Sequence, residues 1–483
     1  MSEKQPNIVF VLCDNVGWGD FGCYGGQTPT PRIDKLATEG IRFNSFTSES
    51  QCCPTRTALM TGRQSVRCGT YSVIPVAGKH GLVPWEYTIA ELLSDAGYAT
   101  GLFGKWHLGE EEGRLPNDQG FDEWWGYKNS ADECGYSSYP MFKALAKKMG
   151  LESPKLWEGK KGEKSKAVGE LDLDVRPLLD EKIVDKASDF IKRAAKGDKP
   201  FYTYIALSHV HPPEQPHPDF DKTDPERMGM YADLIAEMDH RVGQLLDCVD
   251  EAGIADDTVF VFCSDNSTCH VPAFGLGGST GPFRGDFTRP PGEGSMRVPA
   301  MVRMPGNSAP RAPKGVVTEQ MLACHDWYRT FASLAGAADK VPTDRPMDSV
   351  DASKFLLGES KETGRESLLF FAGDGSLMSI RWRNIKIWLG YCEGMDHPNV
   401  KCSFPRFYDL GSDPQELYSL FTDKLDCGWE YGIAMKLMEE YEKSIEACPN
   451  IKPGSEFKGY GLVARGEHAL EVKAEEKAGV QTM

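Results

Sequence analysis

The residues able to do chemistry stand in short clusters. Cys52 and Cys53 adjoin in CCPTRTALMTGR, Cys52 to Arg63, where Pro54 suits the first turn of a helix. A residue at such a start meets unpaired N–H groups and the positive end of the helix dipole, which favour an anionic substrate group and an ionised nucleophile. Asp14 and Asn15 in DNVGWGD, with Asp265 and Asn266 in SDNS, offer oxygen ligands and no soft sulfur. That set suits one hard divalent cation, Ca²⁺ ahead of Mg²⁺, because several protein oxygens can converge on the larger ion. In GKWHLG, Lys105 and His107 alternate around Trp106, so an extended segment turns a cation and a titratable group to one side. HVHPPEQPH adds His209, His211 and His217, and Arg56 lies one helical turn beyond Cys52. Asp20 reads as a residue that stabilises its own loop.

These clusters need a frame, and the apolar runs supply one. Asn7 to Leu12, Tyr98 to Phe103, Phe201 to Leu207 and Thr258 to Cys263 read as strands, and each stops where a polar cluster begins. An open parallel sheet places its ligands in the crevice beyond its strand C-termini. The expected fold is therefore α/β. Tyr87 to Ala96 and a segment within Leu171 to Ala195 read as helices, and another is expected to start after Pro54. Beyond a helix at Asp326 to Ala335, the polar stretch Asp339 to Arg365 is the expected boundary between a catalytic domain at 1–360 and a C-terminal subdomain at 361–483. Ser367 to Phe371, Leu377 to Trp382 and Asn384 to Leu389 read as strands of a small antiparallel sheet, followed by a helix near Tyr431 to Ala447 and a polar tail from Lys452.

Composition removes several classes of function. With 71 Asp and Glu against 54 Lys and Arg, the formal charge is -17 and no basic block stands out, which argues against a nucleic-acid partner. No run approaches the length of a membrane helix, so no membrane partner is expected. MSEKQ leads straight into NIVFVL without a secretory signal, and the expectation is a bacterial cytoplasmic protein unless the sequence is a matured form. Fourteen cysteines spread over 483 residues read mostly as buried thiols.

CCPTRTALMTGR resembles the signature of the type I, formylglycine-dependent sulfatases, arylsulfatase-like members of the alkaline phosphatase superfamily. DNVGWGD, GKWHLG, SDNS, TPRIDKLATEGIRF, PNDQGFDEWWG and FYDLGSDPQELYSL extend the likeness over most of the chain. The resemblance implies a large mixed, mostly parallel sheet sandwiched by helices, with a smaller C-terminal domain holding a short antiparallel sheet and a helix. It implies hydrolysis of a small-molecule or saccharide sulfate ester with release of inorganic sulfate. Phosphodiester or phosphonate monoester hydrolysis with the same nucleophile is the alternative. Cys52 would be oxidised to formylglycine (3-oxoalanine) by a maturation enzyme, and its gem-diol would attack sulfur to give a covalent sulfo-enzyme.

The same likeness implies roles for the other residues. Lys105 would contact the sulfate and His107 would help deprotonate the gem-diol. His211 would contact the ester oxygen and protonate the leaving group, with His209 as the alternative, while Arg56 would neutralise the metal-site carboxylates. Asp14, Asn15, Cys52, Asp265 and Asn266 would surround the cation. Two departures stand out: Asn15 replaces a second carboxylate, and GPFRGDFTRPPGEGSMRVP keeps Glu293, Gly294, Arg297 and Pro299 but lacks the sulfate-binding lysine. Arg289 or Thr288 is expected to replace it. The loops Asn129 to Lys166 and Ser267 to Pro282 are expected to set the substrate. Trp124 and Trp125 either pack internally or stack on a ring.

Overall fold

The computed structural model describes residues 5–460 apart from 75–77, 79, 222–228, 270–276, 308–310, 395–396 and 421–427. The strand Asn7–Cys13 shows how the sequence builds the centre of the fold. Its run of apolar and β-branched residues is buried beyond Asn7, as befits a parallel strand covered on both faces. Ile8, Phe10 and Leu12 join the core on one face of the sheet, and Val9, Val11 and Cys13 the core on the other. Each fully buried Phe, Val or Leu contributes about 1.5–3 kcal/mol relative to exposure.

The main sheet has ten strands in the order Val316–Thr318, Ile41–Phe43, Ala300–Arg303, Thr258–Ser264, Asn7–Cys13, Phe201–Ala206, Ala99–Lys105, Glu123–Tyr127, Lys155–Lys160 and Lys166–Glu170. The strands from Thr258–Ser264 to Glu123–Tyr127 are mutually parallel, Ala300–Arg303 and Lys155–Lys160 pair antiparallel on either side of them, and Val316–Thr318 returns to parallel pairing with Ile41–Phe43. All four runs that end in polar clusters are consecutive neighbours in this parallel centre, with Leu12 opposite Ala206 and Cys13 opposite Ser264. Their C-terminal ends therefore deliver Asp14, Lys105, Ser208 and Asp265 to one edge.

Several boundaries differ from those read in the sequence. The helix expected from Tyr87 runs over Ile89–Asp95, because Thr88 and Glu91 form a reciprocal cap with N–H donors 3.1 and 2.7 Å from the accepting side-chain oxygens. The helix expected after Pro54 already begins at Cys52 and spans Cys52–Thr61, with every side chain buried. It stops at Gly62, whose φ of 66° is left-handed and where a Cβ would come within 2.7 Å of Tyr328. Glu133–Ser138 and Pro140–Met149 are helices inside the segment expected to be a loop.

The smaller sheet is antiparallel in the order Ser367–Phe371, Leu377–Trp382, Ile385–Tyr391 and Val400–Asp409. Helix Gly428–Ala447 covers it, burying Ala434 against Ile380, Ile387 and Phe407. Residues 461–483 of the polar tail lie outside the described residues. No helix among the described residues is long and apolar enough to cross a membrane.

Candidate active site

Cys52 is the first residue of its helix rather than the residue before it, with Gln51 extended at the cap. Its Sγ lies 3.6 Å from Asp14 Oδ1 and 4.0 Å from Asn15 Oδ1. The expectation of an ionised nucleophile does not hold for the encoded thiol. Burial pushes it well above the ordinary thiol range, and Asp14 and Asp265 add to that against the opposing charges of Lys105 and Arg56. Helix-start N–H groups do not offset full desolvation beside two carboxylates.

Two cations and two carboxylates form the layer beneath. Lys105 Nζ donates to Asp14 Oδ2 at 2.7 Å, and Arg56 reaches Asp265 Oδ2 through Nη2 at 2.8 Å and Nε at 3.1 Å. Arg56 also stands 3.4 Å from Asp14 Oδ2 and donates through Nη1 to the Lys105 carbonyl at 3.1 Å and to Tyr204 Oη at 3.2 Å. All four charged side chains are fully buried. Burial alone would raise the Asp14 carboxyl, but Lys105, His211 and Arg56 outweigh it and hold it well below the usual carboxylate range. Asp265 is shifted upward instead, by burial and by the charge of Asp14.

The oxygens expected to hold a cation do converge. Asn15, at a left-handed φ of 63°, donates its backbone N–H to Asp265 Oδ1 at 3.3 Å, and its side-chain oxygen accepts from Asn266 Nδ2. Asn266 Oδ1 is buried without a hydrogen-bond partner among the described residues. An orphaned buried acceptor among hard oxygen donors fits a divalent cation. Ligand atoms of Asp14, Cys52 and His211 also lie within 4.8 Å of one another, so the donor region opens toward His211. Asp20 takes no part. Its carboxylate accepts from the N–H groups of Gly17 and Ser279, both at 2.7 Å, and from Tyr231, which tethers the loop.

The histidines divide by location. His107 is buried, its Nδ1 has no partner among the described residues, and burial together with Lys105 and Arg56 holds its pKa well below the ordinary value. These surroundings favour its neutral form. His211 Nδ1 lies 2.9 Å from the Pro212 carbonyl, which fixes a proton there and turns Nε2 toward Ser130 Oγ at 3.3 Å. His209 is fully buried with Nε2 2.9 Å from Glu237 Oε2, while its backbone N–H donates to Asp180 at 3.1 Å. His217 is held through its backbone N–H by the same Glu237, at 2.8 Å.

Cys52, Asn15, His107 and His211 share one cavity of about 550 Å³. The structure brings neither Thr288 nor Arg289 to its lining, although the neighbouring Phe287 is there. Arg289 is turned aside by Asp286, whose Oδ1 lies 3.1 Å from its Nε. Trp124 and Trp125 are buried, and Trp124 Nε1 donates to Asn117 at 2.9 Å, so packing accounts for the pair. Sequence reasoning missed Tyr204, Ser130 and Glu237. Only Glu237 carried a signal, as a carboxylate on the buried face of helix Met230–Glu251.

Comparison with known proteins gives the family. Residues 6–337 match the sulfatase family profile. Human arylsulfatase G is 34% identical over 448 residues, covering 86% of this chain and 83% of that protein. N-acetylgalactosamine-6-sulfatase of Canis lupus familiaris is 32% identical over 456 residues, covering 87% and 82%. The crystal structure of the PsFucS1 sulfatase from Pseudoalteromonas sp. superposes with a TM-score of 0.84 at 29% identity, covering 93% of this chain and 92% of that one.

Proposed function

This chain belongs to the sulfatase family and is a sulfuric ester hydrolase, and we propose that it cleaves its ester through Cys52 after a maturation enzyme has converted that residue to formylglycine. The observation that carries this reading is the place of Cys52. It opens a buried helix beside Asp14, on the floor of a cavity that His107 and His211 also line.

The thiol itself, held neutral by burial, is a poor attacking group. As a hydrated aldehyde, residue 52 carries two hydroxyls on one carbon. One hydroxyl gives its proton to Asp14 as its oxygen bonds to sulfur and the S–O bond to the alcohol breaks, and His211 Nε2 gives the departing oxygen its proton. This step uses His211 as the imidazolium, with a proton on each nitrogen: Nδ1–H stays bonded to the Pro212 carbonyl while Nε2 gives its proton away. The second hydroxyl then passes its proton to His107, its C–O bond becomes the carbonyl again, and the C–O bond to sulfate breaks. Lys105 and Arg56 are already fixed on carboxylates and supply positive charge to the sulfate oxygens without reorganising. Asp14, Asn15, Asp265 and Asn266 would hold a divalent cation beside residue 52, with Ca²⁺ favoured by the donor set, and when bound it adds Lewis-acid charge stabilisation.

Parallel assays with 4-nitrophenyl sulfate, bis(4-nitrophenyl) phosphate and a 4-nitrophenyl phosphonate monoester test the reaction class. Sulfate release is expected to dominate. Diester or phosphonate turnover exceeding it by orders of magnitude would overturn the reading.

A further inference from the structure

We propose that the outer part of the active-site cavity receives the flat apolar portion of a monosulfated phenol or alcohol and rejects one bearing a second anionic group. This substrate class rests on the sulfatase reading above.

Helices Glu133–Ser138 and Pro140–Met149 bring Tyr136, Tyr139 and Phe142 to one wall. The ring centroids of the two tyrosines lie 6.4 and 6.5 Å from that of Phe142, both at 73°, an edge-to-face cluster. The three side chains keep 45%, 40% and 38% exposure at the cavity mouth. Large rings left open over a reacting floor are surfaces onto which a flat ligand packs. Met141, Leu145 and Met149 continue the exposed apolar face along the same helix, at 77%, 53% and 63%, so a longer aglycone finds further apolar surface outside.

The charge of the lining points the same way. Among the described residues no lysine or arginine lines the cavity, and its outer part carries the carboxyl groups of Asp132, Glu133 and Glu214. Lys105 and Arg56 lie beneath the floor on Asp14 and Asp265, and Arg289 is turned to Asp286. Burial, with Glu110 and Asp132 nearby, pushes the Glu133 carboxyl up to about 8, yet in neither protonation state does it offer positive charge. A second sulfate or carboxylate entering here would shed water and meet three carboxylates but no lysine or arginine among the described lining residues.

The test compares 2-naphthyl sulfate with its 6-sulfonate derivative, which differs by one anionic group on the same ring system, and with phenyl sulfate. In the matured enzyme, kcat/KM for 2-naphthyl sulfate should exceed that for the 6-sulfonate by about 100-fold. Phe142→Ala should lower the naphthyl value about tenfold, mainly through KM, and the phenyl value by less than about threefold. Equal or better use of the 6-sulfonate, or an unchanged naphthyl-to-phenyl ratio in the variant, would overturn the proposal. Equilibrium binding of 2-naphthol against 6-hydroxynaphthalene-2-sulfonate reads the same preference without turnover. A binding preference with no sulfate released from any ester would sink the sulfatase reaction and leave the cavity assignment standing.

Discussion

At position 52 the encoded thiol and the proposed aldehyde make opposite demands on the same surroundings. Two buried carboxylates and full desolvation suppress a thiolate, whereas a neutral hydrate needs only acceptors for its protons, and Asp14 and the neutral His107 are both at hand. Cys52→Ala is expected to abolish turnover while costing about 1 kcal/mol of stability, checked by sulfate release and chemical denaturation. For His211→Asn, the loss in kcat should be greater with alkyl sulfates than with 4-nitrophenyl sulfate, since only a poor leaving group needs the proton; equal losses would remove it from the acid role. Asn15 leaves the oxygen set one negative charge short of a paired-carboxylate site. Asn15→Asp should therefore tighten Ca²⁺ binding by about tenfold in calorimetric titration, and no change would remove this residue from the cation site.

Between elements, Glu293 fastens the small antiparallel sheet to the catalytic layer. Its carboxylate meets Arg297 Nη2 at 2.7 Å, Arg381 Nη1 at 2.9 Å and Lys386 Nζ at 2.7 Å, and its backbone N–H donates to Glu416 at 2.7 Å. Burial would raise this carboxyl, but the three cations hold it well below its ordinary 4.5. A lowered folded-state pKa contributes stability that is present above about pH 4.5 and is lost as the pH falls further. Glu293→Gln should cost about 3–5 kcal/mol at pH 7, read by urea unfolding, because it strands buried cations, and the difference from the unsubstituted protein should shrink below pH 4.5. The GEGSMRVP motif is thus structural in part, a role its sequence did not reveal. The strands that carry the site are legible because each is a mainly apolar run cut off by a polar cluster. Val400–Asp409 was not, since VKCSFPRFYD lacks alternation and contains Pro405, which its edge position tolerates. Helix Pro140–Met149 escaped because its apolar face is exposed, so its pattern matched no core. The ion pair of Arg289 with Asp286 is likewise invisible to sequence spacing.

Over the whole molecule, the parallel centre of the sheet decides which distant residues meet: Asp14, Cys52, Lys105, His211 and Asp265 converge because four adjacent strands end at one edge and the Cys52 helix packs over it. The cysteines among the described residues are all free, so dithiothreitol should shift the melting temperature by less than about 2 °C in differential scanning calorimetry. Whether residue 52 works as formylglycine is read from the mass of the peptide that contains it. In active protein from its native host that peptide should weigh about 18 Da less than its thiol form, by the arithmetic of thiol-to-aldehyde conversion, and the converted fraction should track specific activity. Full sulfatase activity with an entirely unconverted Cys52 would rule out the formylglycine nucleophile.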